Sequence, residues 1–487
     1  MRAVVIGSGI AGIAVAIRLA AKGHQVQVFE ANDYPGGKLT VLEKDGFRWD
    51  AGPSLFTMPH YVDELFRLAG REPQEHFNYE RLKIACEYFW EDGTHLTGHS
   101  DPQKFAHEVE TQLGIDGTPV RQHFRKAAFK YEMTKGVFLE RSLHRFSTYT
   151  SRDFFKGIAN IWRLHLLPNM DRVNRKALEH PKLVQLFNRY ATYNGSNPYA
   201  APGVLNLIPH FEHNVGAAFP QGGMHAITMS LYHLAKDIGV EFNFGEPVDR
   251  IVTQGGRATG IEIGGKAVSA DIVVSNMDVV PTYRHLMKDQ KAPERVLRHE
   301  RSSSALIFYW GIKRQFPQMD LHNIFFSDDY RTEFAHIFER GDVYHDPTVY
   351  IHISSKMEPA DAPDGMENWF VMINVPGNQG QDWDGIIAQA RSRIIEKLSR
   401  MLKVDVAALI VTEDRLEPRT IESRTSSYTG ALYGASSNSR MSAFLRHANF
   451  SRKIKNLYFC GGSVHPGGGI PLCLLSARIV ADMIKAA

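Results

Sequence analysis

Cysteine is scarce: the 487-residue chain has three, Cys86, Cys460 and Cys473. Thiols so few and so scattered make neither a disulfide framework nor a zinc site, no metal-ligating set is expected, and a reducing cytosol fits. Net charge is small, +3 with histidine neutral, and the sequence has no basic block, so nucleic acid is not an expected partner. No apolar run approaches the ~18 residues that a membrane-spanning helix needs. Internal repeats and long low-complexity linkers are missing too. What remains is a globular composition, 43% hydrophobic and 22% charged. A chain of this length has room for roughly two or three domains and a large core.

Glycine, in contrast, is plentiful and clusters near both ends. The first cluster is Gly7-Ser8-Gly9-Ile10-Ala11-Gly12. The run Arg2–Ile6 reads as a buried strand, Ile13–Ala21 as a helix, and His24–Phe29 as a second strand ending in Glu30. A lone GxGxxG is a weak signal, but this one has its full βαβ context. The glycines allow a tight turn and close backbone approach, the helix start takes a pyrophosphate, and the acid takes ribose hydroxyls. A secretory signal fits the apolar start but not three glycines at motif spacing. A ligand-free βαβ unit is the other plain reading. The expected dinucleotide contacts are Gly7, Gly9, Ile10, Ala11, Gly12 and Glu30.

The residues that follow narrow the ligand. Gly36, Gly37 and Lys38 suit close contact with a pyrophosphate, unless Lys38 is a solvated loop cation. Phe47, Asp50, Gly52 and Pro53 make an FxxDxGP pattern. The second cluster runs Asn456-Leu-Tyr-Phe-Cys-Gly461-Gly462-Ser-Val-His465-Pro-Gly-Gly-Gly469-Ile470-Pro471, leading into a helix over Leu472–Ile484. That helix start offers free N–H groups and a positive dipole end, suited to negative charge on a ligand.

With these motifs the chain resembles the flavoprotein superfamily of amine oxidases and carotene desaturases, which bind FAD. The C-terminal segment, with its HPGxGIP run, closely resembles the bacterial-type phytoene desaturases. The resemblance extends to Phe219-Pro-x-Gly-Gly-Met224, Ala270-Asp-x-Val-Val-Ser-Asn276 and His322-Asn-Ile-Phe-Phe-x-x-x-Tyr330, and is least specific between 140 and 200. It implies an α/β fold: a discontinuous Rossmann-like FAD domain with an inserted mixed β-sheet and helical substrate domain, as in amine oxidases and Rab GDP-dissociation inhibitors. The expected FAD segments are 1–75, 215–284 and 426–487, and the substrate segments 76–214 and 285–425. The first substrate segment reads as mostly helical. Val248 opens the strand expected to line the adenine. Gly37, Lys38, Gly52, Pro53, Gly461, Gly462, Gly469, Ile470 and Pro471 complete the cofactor set.

Three residues are candidates for catalysis. His465 lies beside the predicted flavin, where it touches substrate or merely bonds the turn. Arg152 and Asp153 occupy the place of a polar pair that the family resemblance sets near the substrate tunnel, while a surface pair at a helix start is the plainer reading. Cys460 precedes the glycine pair, which argues against a covalent flavin bond.

The stretch Thr150–Met170 interleaves Phe154, Phe155, Ile158, Ile161 and Trp162 with basic residues. Such a helix either packs on its own core or lies in a bilayer interface. The resemblance implies a carotenoid substrate, whose transfer to water costs tens of kcal/mol at about 0.8 kcal/mol per CH₂. The enzyme is therefore expected on the inner face of the cell membrane, as a cytoplasmic, peripherally bound protein. The implied reaction moves a hydride from an allylic carbon to flavin and a proton from its neighbour, leaving oxygen and quinone both open as terminal acceptor. The segments Ala191–Pro198 and His210–Gly216 look more like desaturases of hydroxylated carotenoids. A carotene isomerase or oxygenase, an amine oxidase and a lipid carrier are the rival readings.

Overall fold

The computed structural model describes all 487 residues. Two sheets organise it. The first has five parallel strands in the order Leu457–Phe459, Ile272–Ser275, Arg2–Ile6, Gln25–Phe29, Glu241–Asn243. Its central strand is apolar from Ala3 to Ile6 because both faces are covered there. Ala3 and Val5 pack against the helices Ile10–Ala20, His225–Asp237 and Ile470–Met483. Val4 and Ile6 pack on the other side, against Ile251 and Ile261 of a three-stranded antiparallel sheet. Every strand of the parallel sheet falls within residues 1–75, 215–284 or 426–487.

The second sheet has seven strands in the order Ile410–Leu416, Ser304–Ile312, Glu367–Val375, Val349–Ile353, His322–Phe325, Ile84–Phe89, His95–His99. Alternation assigns its faces. Phe308, Trp310, Trp369 and Val371 pack on Trp383, Ile387 and Ile394 of the helix Trp383–Leu402. Ile307, Tyr309 and Phe370 turn the other way, onto Phe47 and Trp49 of the FxxDxGP segment. The Tyr309 hydroxyl donates to the Ala51 carbonyl at 2.7 Å. The sheet therefore lies directly against the predicted flavin segment.

The stretch from 76 to 208 is mostly helical, as expected, and it also supplies the strands Tyr79–Arg81, Ile84–Phe89 and His95–His99. The hairpin signal was Asp92-Gly93, with Gly93 at φ 84°. Residues 150–170 are not one helix. The helix Arg152–Ala159 ends at Asn160, whose side chain donates back to the Lys156 carbonyl, and only a short turn, Ile161–Arg163, follows. Asparagine competes for helix carbonyls in this way, and His165 at φ 54° takes the chain out of helical conformation. The strand expected from Val248 begins at Arg250, and Val248 itself is a half-buried loop residue beside the core of the three-stranded sheet.

Candidate active site

Two helices begin at the carboxyl edge of the parallel sheet. Ile10–Ala20 follows the central strand, and Ile470–Met483 follows the segment after Leu457–Phe459. The first in-helix bond of the former runs from the Ile13 amide to the Gly9 carbonyl, leaving the amides of Ile10, Ala11 and Gly12 without partners. In the latter it runs from Cys473 to Gly469, leaving Ile470 and Leu472 free while Pro471 has no N–H to satisfy. Both positive dipole ends thus lie on the ligand side of a doubly wound sheet.

Asn276 joins the two glycine clusters. Its backbone N–H donates to the Ile6 carbonyl at 2.8 Å and its side-chain amide to the Cys460 carbonyl at 3.3 Å. A Cβ at Gly9 would stand 2.7 Å from Asn276 Oδ1, and one at Gly461 would stand 2.6 Å from its Nδ2. A Cβ at Gly12 would fall 2.1 Å from the Gly7 carbonyl oxygen, so only glycine lets the helix approach the strand. Gly37 backs onto Gly9, with the Gly36 amide donating to the Ser8 carbonyl at 2.9 Å. Gly52 passes so close to the Lys38 carbonyl that a side chain has no room. Gly462 packs against Gly468 in the same fashion.

Glu30 is buried at the end of its strand. Oε2 accepts from the Ser8 amide at 2.8 Å and the Ser8 hydroxyl at 2.9 Å; Oε1 accepts from the Asn32 amide at 3.0 Å and its side chain at 2.8 Å. Two of these four donors are side chains that can rotate away for sugar hydroxyls.

Lys38 is not a solvated cation. Its ammonium donates to the carbonyls of Ala431 and Leu432, both at 3.0 Å, and burial pushes its pKa down to about 8. Asp278 and Arg301 are its charged neighbours, and the Cys473 thiol lies beside it. Burial also pushes the Cys473 thiol up to about 11 and the Arg446 guanidinium down to about 10. Arg446 flanks Gly467 and donates to the Tyr433 carbonyl at 3.1 Å. Three cations, Arg446 buried and Lys38 and Arg301 half-buried, with one acid among them, Asp278 paired to Arg301, make this corner electropositive. Sequence reading missed Arg301, Arg446 and Asn276 as site residues. Only the last lay in a motif. Free amides, glycine cradles and this positive corner fit a dinucleotide flavin.

Two of the three candidate catalytic residues, His465 and Asp153, meet on an unforeseen partner, Arg141. His465 Nε2 donates to the Arg141 carbonyl at 2.7 Å, and burial pushes its pKa down to about 4. The Arg141 side chain pairs with Asp153 at 3.3 Å. Arg152 is exposed on the same helix start, which Ser151 caps. Cys460 is buried and its thiol pushed upward, so it is no nucleophile.

A further polar group sits on the inner face of the seven-stranded sheet. Ser54, just beyond Gly52-Pro53, bonds the Tyr350 hydroxyl at 2.8 Å, which bonds His322 Nδ1 at 2.8 Å. His322 stacks on His352 at 5.2 Å, and both Nε2 atoms are buried without a partner.

Comparison with known proteins agrees with this geometry. The model of the flavin-containing amine oxidoreductases matches residues 10–485. A 1-hydroxycarotenoid 3,4-desaturase of Flavobacterium sp. (strain P99-3) is 53% identical over 99% of both chains. A 4,4'-diapolycopene oxygenase of Methylomonas sp is 33% identical over 100% of this chain and 98% of that one. Among solved structures, an oxidoreductase from Methanosarcina mazei superposes with a TM-score of 0.65 at 15% identity, covering 99% of this chain and 100% of that one. A cyclohexylamine oxidase from Brevibacterium oxydans superposes at 0.62 and 14%, covering 99% and 98%. The fold, the two joined glycine clusters and these relatives place the chain in the flavin-containing amine oxidoreductase family, as one of its carotenoid desaturase members.

Proposed function

We propose that the protein is an FAD-dependent carotenoid desaturase that introduces a 3,4-double bond into a hydroxylated carotenoid. The observation that carries this is the 53% identity to the 1-hydroxycarotenoid enzyme over the whole chain. The flavin family supports a flavin, and the acid at Glu30 with a pyrophosphate-ready helix start favours the dinucleotide form. The free amides of Ile10, Ala11 and Gly12 hold the pyrophosphate, Glu30 the ribose, and the Ile470 helix start the flavin edge. When bound there, FAD supplies the hydride acceptor for an allylic C–H bond. Lys38, Arg301 and Arg446 hold the negative charge that develops at this corner.

His465 is the proposed proton acceptor. Its Nε2–H is committed to Arg141, which leaves Nδ1 as the basic atom, and its lowered pKa keeps it neutral at pH 7. Arg152 and Asp153 sit on the helix that carries Phe155, and we assign them to the substrate entrance. The unpartnered ring nitrogens of His322 and His352 take the hydroxyl of the substrate.

Entry from the membrane is part of the proposal. No helix is long and apolar enough to cross a bilayer. Between 146 and 167, however, Phe146 is 82% exposed, Phe155 62%, Trp162 76% and Leu167 73%. Such a cluster of large apolar side chains suits an interface. Its basic neighbour Arg163 stacks on Phe129 at 3.8 Å. We place this face on the inner leaflet.

The deciding experiment supplies purified protein and FAD with a 1-hydroxycarotenoid in liposomes. A red-shifted absorption spectrum and a product two hydrogens lighter are expected. A product that has gained oxygen would favour the oxygenase reading, which the Methylomonas relative keeps open. Peroxide formation from amines alone would overturn both.

A further inference from the structure

A pocket of about 570 Å³ opens beside the exposed apolar segment, remote in sequence from every glycine motif. Its walls are cationic. Along the helix Thr118–Thr134, His123, Lys126 and Lys130 fall on one face at spacings of three and four residues. From the helix Met170–Leu178, Arg172 and Lys176 face the same space, and His165 closes it from the segment that carries Trp162. No carboxylate lines it. Lys126, Lys130, Arg172 and Lys176 have no acidic partner anywhere in the structure.

The floor is unsatisfied as well as positive. Lys130 is 2% exposed, and its ammonium has one acceptor, the Gly203 carbonyl at 2.8 Å. Two of its N–H bonds are left over. Asn206 is 1% exposed with both side-chain polar atoms unpartnered, and buried His123 Nε2 has no partner either. Buried polar groups without partners are costly, and a buried ammonium without a counter-ion more so. Burial pushes Lys130 down to about 7, a charge that a bound anion would restore.

We propose that this pocket binds a phosphate group, and that its source is the headgroup of an anionic phospholipid. A phosphate offers several acceptor oxygens to converging donors and carries the charge the pocket lacks. The lipid assignment follows from position, since Leu167 lines the pocket and belongs to the exposed apolar stretch. That assignment rests on the membrane reading above; the phosphate site itself does not. Occupied, it would fix the enzyme's orientation on the leaflet.

The test uses the FAD-loaded protein and two probes. Against inorganic phosphate, titration calorimetry and thermal melting at matched ionic strength should show binding by the wild type. Lys130→Met should lose it. Should that variant fail to fold, the exposed pair Lys126→Gln/Lys176→Gln should weaken it at least tenfold. The remote pair Lys288→Gln/Lys291→Gln should leave it unchanged. Against vesicles, wild type should favour phosphatidylcholine doped with phosphatidylglycerol over phosphatidylcholine alone, and the Lys126/Lys176 pair should lose that preference while still binding neutral vesicles. Phosphate responses equal in wild type and pocket variants would overturn the site. Phosphate binding with no preference for phosphatidylglycerol would overturn the lipid assignment. A variant with Phe155, Ile158 and Trp162 changed to Ser separates the two readings, for it should keep phosphate binding and lose both vesicles.

Discussion

The carboxylate of Asp50 accepts the backbone N–H of Met224 at 2.8 Å and that of His225 at 3.1 Å. It thereby caps the helix His225–Asp237 and ties the FxxDxGP segment to the Phe219-Pro-x-Gly-Gly-Met224 segment, 174 residues away in the chain. Arg48 pairs with the same carboxylate at 3.1 Å and with Asp361 at 3.2 Å. These two motifs are therefore one joint, made of a buried acid at a helix start and a glycine turn that lets the backbone come near.

Asp50→Ala should destabilise the protein by about 2 kcal/mol, through the lost cap and the half-unpaired Arg48. Denaturant midpoints measure this. The flavin content of the surviving folded protein should fall, because the joint holds Gly52 against Lys38. An unchanged midpoint would show that the joint is redundant.

Glu30→Ala should weaken FAD by roughly 10- to 150-fold, as expected for about 1.5–3 kcal/mol of hydrogen bonding to a carboxylate. Fluorescence titration of the apoprotein reads the change. Glu30→Gln should recover only part of the affinity, since an amide keeps one acceptor. Equal affinity in all three proteins would remove Glu30 from the cofactor site.

Changing Phe155, Ile158 and Trp162 to Ser should cut liposome co-sedimentation and turnover of membrane-borne carotenoid, each group contributing roughly 1.5–3 kcal/mol when buried in the interface. Phe154 is left intact because it is half-buried and packs on Tyr149 at 5.3 Å. Flavin content is the control and should not change. Undiminished sedimentation would move the docking face elsewhere.

Acid should destabilise the fold before carboxylates titrate. Burial holds His465, His447 and His352 at about 4, below the unfolded value of 6.5. The unfolded chain then binds more protons between those values, so the contribution of these histidines is fully present above pH 6.5 and is lost as pH drops toward 4. Each unit of difference corresponds to about 1.4 kcal/mol per histidine. Urea midpoints at pH 7, 6 and 5 should decline, and His465→Gln should decline less steeply. A level profile would show these rings to be reachable by protons in the folded state.

What the sequence determined by itself was local. GxGxxG with Glu30, Gly36-Gly37-Lys38 and the HPGGGIP turn each lie within a single turn or βαβ unit, where backbone geometry demands glycine and the spacing carries the message. The tertiary structure alone decided which distant groups meet. His465 found the Arg141 carbonyl, and Arg301 came within range of both Lys38 and Arg446. Lys126 and Lys130 came to face Arg172 and Lys176 only because their two helices pack side by side. Charges dispersed along a chain carry no pattern until packing sets their distances, and Coulomb energy and desolvation depend on those distances and on burial rather than on spacing in sequence.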